Sequence, residues 1–415
     1  GSEMCIRDSL WIIPGTVLAF LFNWLVLADR LRRSACNQEA ITIPDVLAGN
    51  FSGRYANLIR LLAMLIILTM LSAYVAAQFN AAGKMFDAML GWPYQRGVIV
   101  GTLIVLIYTV SGGFRAVAWT DVIQALFMVG AVVILPAVLL IELGGVDAMW
   151  HRLDSLEHTG TFTHPLAGKT GMALTGFLAV WLGIPLGYCG QPHLLVRFMA
   201  TRDATAIKRG AIISTSWVFL LFSGAVLLGI FARAYYGVLD DPETVLPRVA
   251  AELLPGVIGG VMIAAVLAAI CSTADSQLLV SASAISHDLY VRVLCRHPDN
   301  RTILLFDRLA VLAVGFIAML VALGEVRVIF DFVLYAWAGL GAAFGPALIL
   351  ILLWKRTSAA GVIAGIVVGY VTAIVWRQTL HDYLYELVSA FLLAFIAVLL
   401  VSRLLPDQSA RAQEQ

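Results

Sequence analysis

Charge is what this sequence has least of. Asp, Glu, Lys and Arg make up 13% of its 415 residues, where an average soluble domain carries about a quarter. A soluble fold of this length would lack the charges to cover its surface. The 27 basic and 26 acidic residues leave a net charge of +1, so no basic field draws in nucleic acid. The five cysteines (Cys5, Cys36, Cys189, Cys271, Cys295) form no C-x-x-C pair, and two of them lie inside apolar runs. A zinc site or a disulfide framework is therefore not expected. The seven histidines are scattered without metal-ligand spacing, and no H-E-x-x-H, Walker A loop, Rossmann glycine fingerprint or kinase signature occurs. With no visible means of using ATP, uphill movement of a solute would need an ion gradient. No nucleophile–base pair is apparent, so an enzyme is not expected and no organic cofactor is implied.

The first nine residues, GSEMCIRDS, lack the basic, apolar and small-residue regions of a signal peptide. Residues 1–9 resemble a translated adapter scar and are set apart from the fold. The natural reading frame is expected to begin further upstream.

What the sequence has is apolar length. Hydrophobic residues make up 61% of it, and a spanning helix needs about 20 of them in a row. Eleven stretches qualify, with cores near Leu10–Leu27, Leu58–Phe79, Val98–Val110, Val122–Leu143, Leu174–Gly190, Ala211–Ala232, Val257–Ser283, Leu304–Leu323, Phe330–Trp354, Gly361–Trp376 and Leu384–Leu404. All should be helices, because lipid offers backbone polar groups no partner and the runs are too long for barrel strands. Orientation follows from Lys and Arg. Placing the loop with Arg30, Arg32, Arg33, Arg54 and Arg60 in the cytoplasm puts eighteen basic residues there against eight outside. The C-terminal tail, residues 406–415, is then cytoplasmic. The loops Gly144–Thr170 and Tyr235–Gly256 face outward, the second with room for a short helix.

Two segments carry chemistry. In Gly176–Ala200, GFLAVWLGIPLGYCGQPHLLVRFMA, an apolar span is interrupted by Gly183, Pro185 and Gly187. Pro185 cannot donate the helical hydrogen bond, and unwound backbone at this depth survives only against protein or a watery cavity. Such discontinuous helices build solute sites in secondary transporters; a plain proline kink explains the run equally well. Tyr188, Gln191 and the freed carbonyls are the candidate contacts. In Ala264–Tyr290, AAVLAAICSTADSQLLVSASAISHDLY, Ala269, Ser272 and Thr273 stand at i, i+3 and i+4 on one helix face. Two hydroxyls and carbonyl oxygens suit a small hard cation such as Na⁺, although Ala, Ser and Thr also mark ordinary helix packing. Asp275, an acid within a span, is a candidate site for a second ion or a proton. A carboxylate facing an inner vestibule and paired with a loop arginine accounts for it as well.

Two further runs read mainly as structure. YTVSGGFRAVAWTDVIQ (Tyr108–Gln124) breaks at Gly112–Gly113, with Arg115, Trp119 and Asp121 at the membrane boundary; Tyr108 is a candidate solute or gate contact. YAWAGLGAAFGP (Tyr335–Pro346) offers small residues for close helix packing. Gln78 and Asn80 are read as candidate cavity linings.

GGFRAVAWTDVIQ, GYCGQPHLLVRFMA, STADSQLLVSASAISHDLY and YAWAGLGAAFGPALILILLWKR, in that order, resemble the sodium:solute symporter family and most closely its sodium/proline symporter branch. The resemblance covers Leu10 to about Leu405. It implies an all-α integral membrane protein, a leucine-transporter-type bundle of two inverted five-helix repeats working by alternating access, with about 11 transmembrane helices present. Residues 10–405 would be this domain. By the resemblance, Ala269, Ser272 and Thr273 match the family's sodium motif, and Tyr108, Tyr188 and Pro192 match positions linked to proline binding. The implied partners are Na⁺, a small organic solute such as proline, and the bilayer; no obligate protein partner is evident. Ile184 stands where the branch carries tryptophan, which leaves a carboxylate or vitamin as alternative solutes. Members begin with about two further helices, one of them the broken first core helix, so this chain is expected to hold half of the sodium site and not to transport without its upstream part. A sensor input domain fused to a histidine kinase is the alternative from another class.

Overall fold

The computed structural model describes residues 8–156, 170–239, 241–294, 298–324, 329–381 and 383–407. Among them every regular element is helical. Ten helices are long and apolar enough to cross a membrane, and Leu174–Gly190 forms a shorter apolar one. These answer to the eleven expected stretches, but most of the helices run longer than the apolar cores; Ile329–Leu353 only shifts by one residue and Glu386–Leu404 is slightly shorter. The first, α1, is Ile12–Gln38, bridged by a π-turn at Asn23–Leu27. A six-residue helix, α2 (Ile43–Ala48), follows, started by Thr42, whose hydroxyl accepts from the Asp45 amide. Then come α3 (Gly53–Leu90), α4 (Tyr94–Arg115) and α5 (Val117–Glu142). The last two form one rod bent at Gly113, where φ is +64°, a backbone that glycine adopts without strain. The break expected at Gly112–Gly113 takes the form of this bend.

Beyond α6 (Val146–Leu156), the chain is broken where the sequence places Pro185: α7 (Gly171–Gly183) gives way to a 3₁₀ segment, Ile184–Gly190, and resumes as α8 (Pro192–Met199). Next are α9 (Ala204–Tyr236), capped by Asp203, the expected short outer helix α10 (Val245–Leu253), and α11 (Gly256–Val293), whose end from Ala284 is a π-helix. The remaining spans are α12 (Asn300–Leu323), α13 (Ile329–Leu353), α14 (Ala359–Thr379) and α15 (Glu386–Leu404). Residues 1–7, 157–169 and 408–415 lie outside the described residues, and with them most of the expected N-terminal segment, part of the first outer loop and most of the tail.

The centre of the bundle is α13. Every residue from Ala336 to Leu348 is buried, because a run of Ala and Gly lets α3, α14, α15 and the 3₁₀ segment close on it from all sides. At one close approach a Cβ on Gly190 would lie 2.7 Å from the carbonyl oxygens of Leu340 and Gly341. The small residues of YAWAGLGAAFGP thus pack as expected, and they hold the unwound stretch deep in the protein.

Candidate functional site

The unwound segment exposes carbonyls that no helix satisfies, and α13 supplies what is missing. Trp337 Nε1 donates to Ile184 O at 3.0 Å, and Gln191 Nε2 donates to Trp337 O at 3.0 Å and to Gly187 O at 3.3 Å. A side chain at Gly187 would collide with the Trp337 indole. Tyr188 stands edge-on to two rings, Phe20 of α1 and Trp337, each at 4.7 Å between centroids. Tyr74 of α3 closes on Trp337 at 6.5 Å. An aromatic wall is therefore present although Ile184 carries no ring. Ile184 is itself buried, and the Gln191 Oε1 atom is sealed from solvent without a partner. Buried polar atoms of this kind are few in native proteins and ask for an explanation.

Ser272 and Thr273 are half-buried on α11. Both hydroxyls donate to Ala269 O at 3.0 Å. Their protons are turned back along the helix, so lone pairs are left on the outward side of each oxygen. Asp275 is fully buried, with Oδ2 unpartnered. Next to it Ser276 accepts from Arg197 Nη2 at 2.8 Å, and the same Nη2 reaches Asp121 Oδ2 at 2.7 Å. The loop-arginine partner envisaged for Asp275 thus exists on α8 but binds its neighbours instead. Tyr108 donates to Thr120 across the Gly113 bend and lies within electrostatic reach of Asp121 and Asp275. It belongs to this charged group, whereas Tyr188 belongs to the aromatic wall.

Between the charged group and the arginine-rich end of the bundle lies a cavity of about 810 Å³. Its walls come from Thr42 to Pro44 before and in α2, the bend at Ser111–Phe114, Asp121, His193 and Arg197 of α8, and the Ser276–Asp288 face of α11. Of the candidates named from sequence, Pro192 alone lines it. Gln78 and Asn80 do not: Asn80 is buried against α4, where it accepts from the Tyr94 hydroxyl at 3.1 Å. Asn80 thus faces α4 and not this cavity.

Sequence reasoning missed Trp337, Phe20, Tyr74, His193 and the Arg197–Asp121 pair. Their partners lie far off in the chain, 76 residues for Arg197–Asp121 and 153 for Trp337–Ile184, beyond any local pattern. One signal was available: an arginine within the apolar run after Pro192 needs a counter-charge.

The family model of the sodium:solute symporter family matches residues 7–369. The high-affinity proline transporter PutP of Bacillus subtilis is 37% identical over 98% of this chain and 85% of its own length. The sodium/proline symporter of Escherichia coli is 34% identical over 98% of this chain and 81% of its own. Among solved structures, a Na⁺-coupled sialic acid symporter in a substrate-bound, outward-open state superposes with a TM-score of 0.77 at 19% identity, covering 98% of this chain and 87% of that one. The nucleobase-cation-symport-1 transporter MHP1 superposes with a TM-score of 0.52. The fold is that of Na⁺-coupled symporters, as the quoted motifs imply.

Proposed function

The chain belongs to the sodium:solute symporter family, and from that membership we propose that the solute it carries with Na⁺ is proline or a related amino acid. The observation that carries this reading is the aromatic-walled break at Ile184–Gly190 in a chain 34–37% identical to proline transporters. Its broken helix offers a small solute free backbone groups and the rings of Tyr188 and Trp337. The arginine-rich end faces the cytoplasm, in keeping with the excess of basic residues there, and the C-terminus lies on that side of the plasma membrane.

Na⁺ binds the Ser272 and Thr273 hydroxyl oxygens and the Ala269 carbonyl, and so orders the solute site next to it. Solute then settles against Tyr188, Ile184, Gln191 and Pro192. Tyr108 joins the ion side of the site and, through Thr120, senses the bend at Gly113. Asp275 holds a second cation, Na⁺ or H⁺. Rocking of the two repeats opens the site to the cavity at the arginine-rich end. Radiolabelled proline uptake by the full-length protein, with and without Na⁺, tests the reading: uptake is expected to need Na⁺, and uptake indifferent to Na⁺ overturns it. Ile184 favours one second reading, a carboxylate or vitamin as solute. Failure of excess proline to slow uptake of such a solute, in a protein that ignores labelled proline, would establish it.

A further inference from the structure

The cavity at the arginine-rich end is lined by a buried imidazole that, among the described residues, has nothing to bind. His193 is 6% exposed, its Nδ1 is sealed without a partner, and the ring lines the cavity. Among the described residues it makes no hydrogen bond or ion pair; its ring contact is with Tyr74, edge-on at 6.0 Å. An imidazole removed from water and left unbonded costs free energy unless a ligand completes it. One turn further along α8, on the same face, is Arg197. Its Nη2 serves both Asp121 and Ser276, while Nη1 and Nε have no partner among the described residues and the side chain is 45% exposed. A guanidinium carries five donors in a fixed fork, so most of the fork is open. His193 lies in the first turn of α8, which begins at Pro192, and Arg197 in its last; the dipole favours negative charge at the His193 end.

An imidazole without a bond on the cavity wall and the open part of a guanidinium one turn away describe a seat for a carboxylate. The opposite charge is also at hand: Asp121 Oδ1 is unpartnered, ready for a cationic nitrogen. Apolar side chains fill the wall between, among them Ile67, Val196 and Val280. We propose that His193 and Arg197 form a release-stage seat for the carboxylate of a zwitterionic amino acid, on the arginine-rich side of the Tyr188 site. The seat catches the solute as the central site opens and lowers the barrier to its departure. This rests on the amino-acid reading above and adds to it a second station on the exit path.

The test uses the full-length protein and compares the two faces of the membrane with L-proline as probe. Half-saturation is measured from the outer face in right-side-out vesicles and from the inner face in inside-out vesicles. In His193→Leu the ratio of inner to outer half-saturation should rise about tenfold. In His193→Gln, which keeps a donor and an acceptor, it should rise less than about threefold. An unchanged ratio in His193→Leu overturns the seat. If that variant does not fold, L-proline methyl ester, which lacks the anionic oxygen, serves on the unaltered protein. The ester should lose at least tenfold more against L-proline at the inner face than at the outer, and equal losses overturn the proposal. Absence of any Na⁺-dependent L-proline uptake at the outer face refutes the underlying amino-acid reading instead, so the two failures are told apart.

Discussion

Ser272 and Thr273 differ from ordinary helix hydroxyls only in what lies opposite their lone pairs, and that difference is measurable. A hydroxyl that merely bonds Ala269 O is dispensable. One that also binds a cation carries roughly 1.5–3 kcal/mol, the range for hydrogen bonds to charged groups. Ser272→Ala is therefore expected to raise the Na⁺ concentration for half-maximal uptake by roughly ten- to a hundredfold. Thr273→Val should do the same, and Thr273→Ser, which keeps the oxygen, should not. A Ser272→Ala protein with unaltered Na⁺ dependence leaves these hydroxyls as packing. Asp45 makes a different kind of residue-scale case. It is 2% exposed; burial works against its ionisation, but the hydrogen bond from His287 and the charges of His287, Arg292 and Arg60 outweigh burial and hold its carboxyl below the usual carboxylate range. A carboxyl lowered on folding adds stability above its unfolded pKa, about 3.9, and loses it as pH falls through the lower folded value. Asp45→Asn should cost about 1–3 kcal/mol at pH 7, with the gap to the native protein closing as pH drops below about 4. Denaturation curves in detergent at the two pH values check it, and a gap of equal size at both removes the charge argument.

At the scale of elements, the break between α7 and α8 depends on α13 being thin. Gly190→Ala would drive a methyl into the carbonyls of Leu340 and Gly341 at 2.7 Å, backbone that cannot swing aside. Overpacking of this sort costs about 1–3 kcal/mol. The variant should melt earlier and lose uptake, whereas Gly176→Ala, where a Cβ meets nothing within 4 Å, should match the native protein. The same pair of elements shows how far sequence carries the fold. The break itself was legible, since Pro185 between glycines has one local consequence, and so was the bend at Gly113. The spans were legible because a bilayer imposes a length on apolar runs. Helix ends were not: polar ends such as Arg30–Gln38 continue α1 without any apolar signature. The π-helical end of α11 has no pattern of its own either. For the site, the candidate residues were legible one by one, but their sorting into an aromatic group around Tyr188 and a charged group around Asp121 was not. That sorting is made by Trp337 and Arg197, each bonded to residues far away in the chain.

For the whole molecule, the number of coupled ions sets how much work one cycle can do. A membrane potential of about 100 mV supplies roughly 2.3 kcal/mol per charge, and a tenfold Na⁺ gradient adds about 1.4 kcal/mol. One Na⁺ per solute therefore limits accumulation to roughly several hundredfold, and collapsing the potential lowers that ceiling to roughly tenfold. Asp121 is charge-paired by Arg197 at 2.7 Å, but Asp275 next to it has a sealed, unpartnered oxygen. Carrying such a carboxylate through the cycle without a counter-ion is costly. A second cation on Asp275 would travel with the first and raise the ceiling to roughly its square. The expectation is that, in proteoliposomes under a fixed potential and Na⁺ gradient, accumulation of labelled proline exceeds the one-ion ceiling. In Asp275→Asn it should fall back to that ceiling, with uptake still dependent on Na⁺. If the unaltered protein never passes the one-ion limit, with or without an added pH gradient, Asp275 carries no coupled ion. Because the same vesicles give both the ratio and its dependence on potential, the number of charges moved per solute is read directly from the slope.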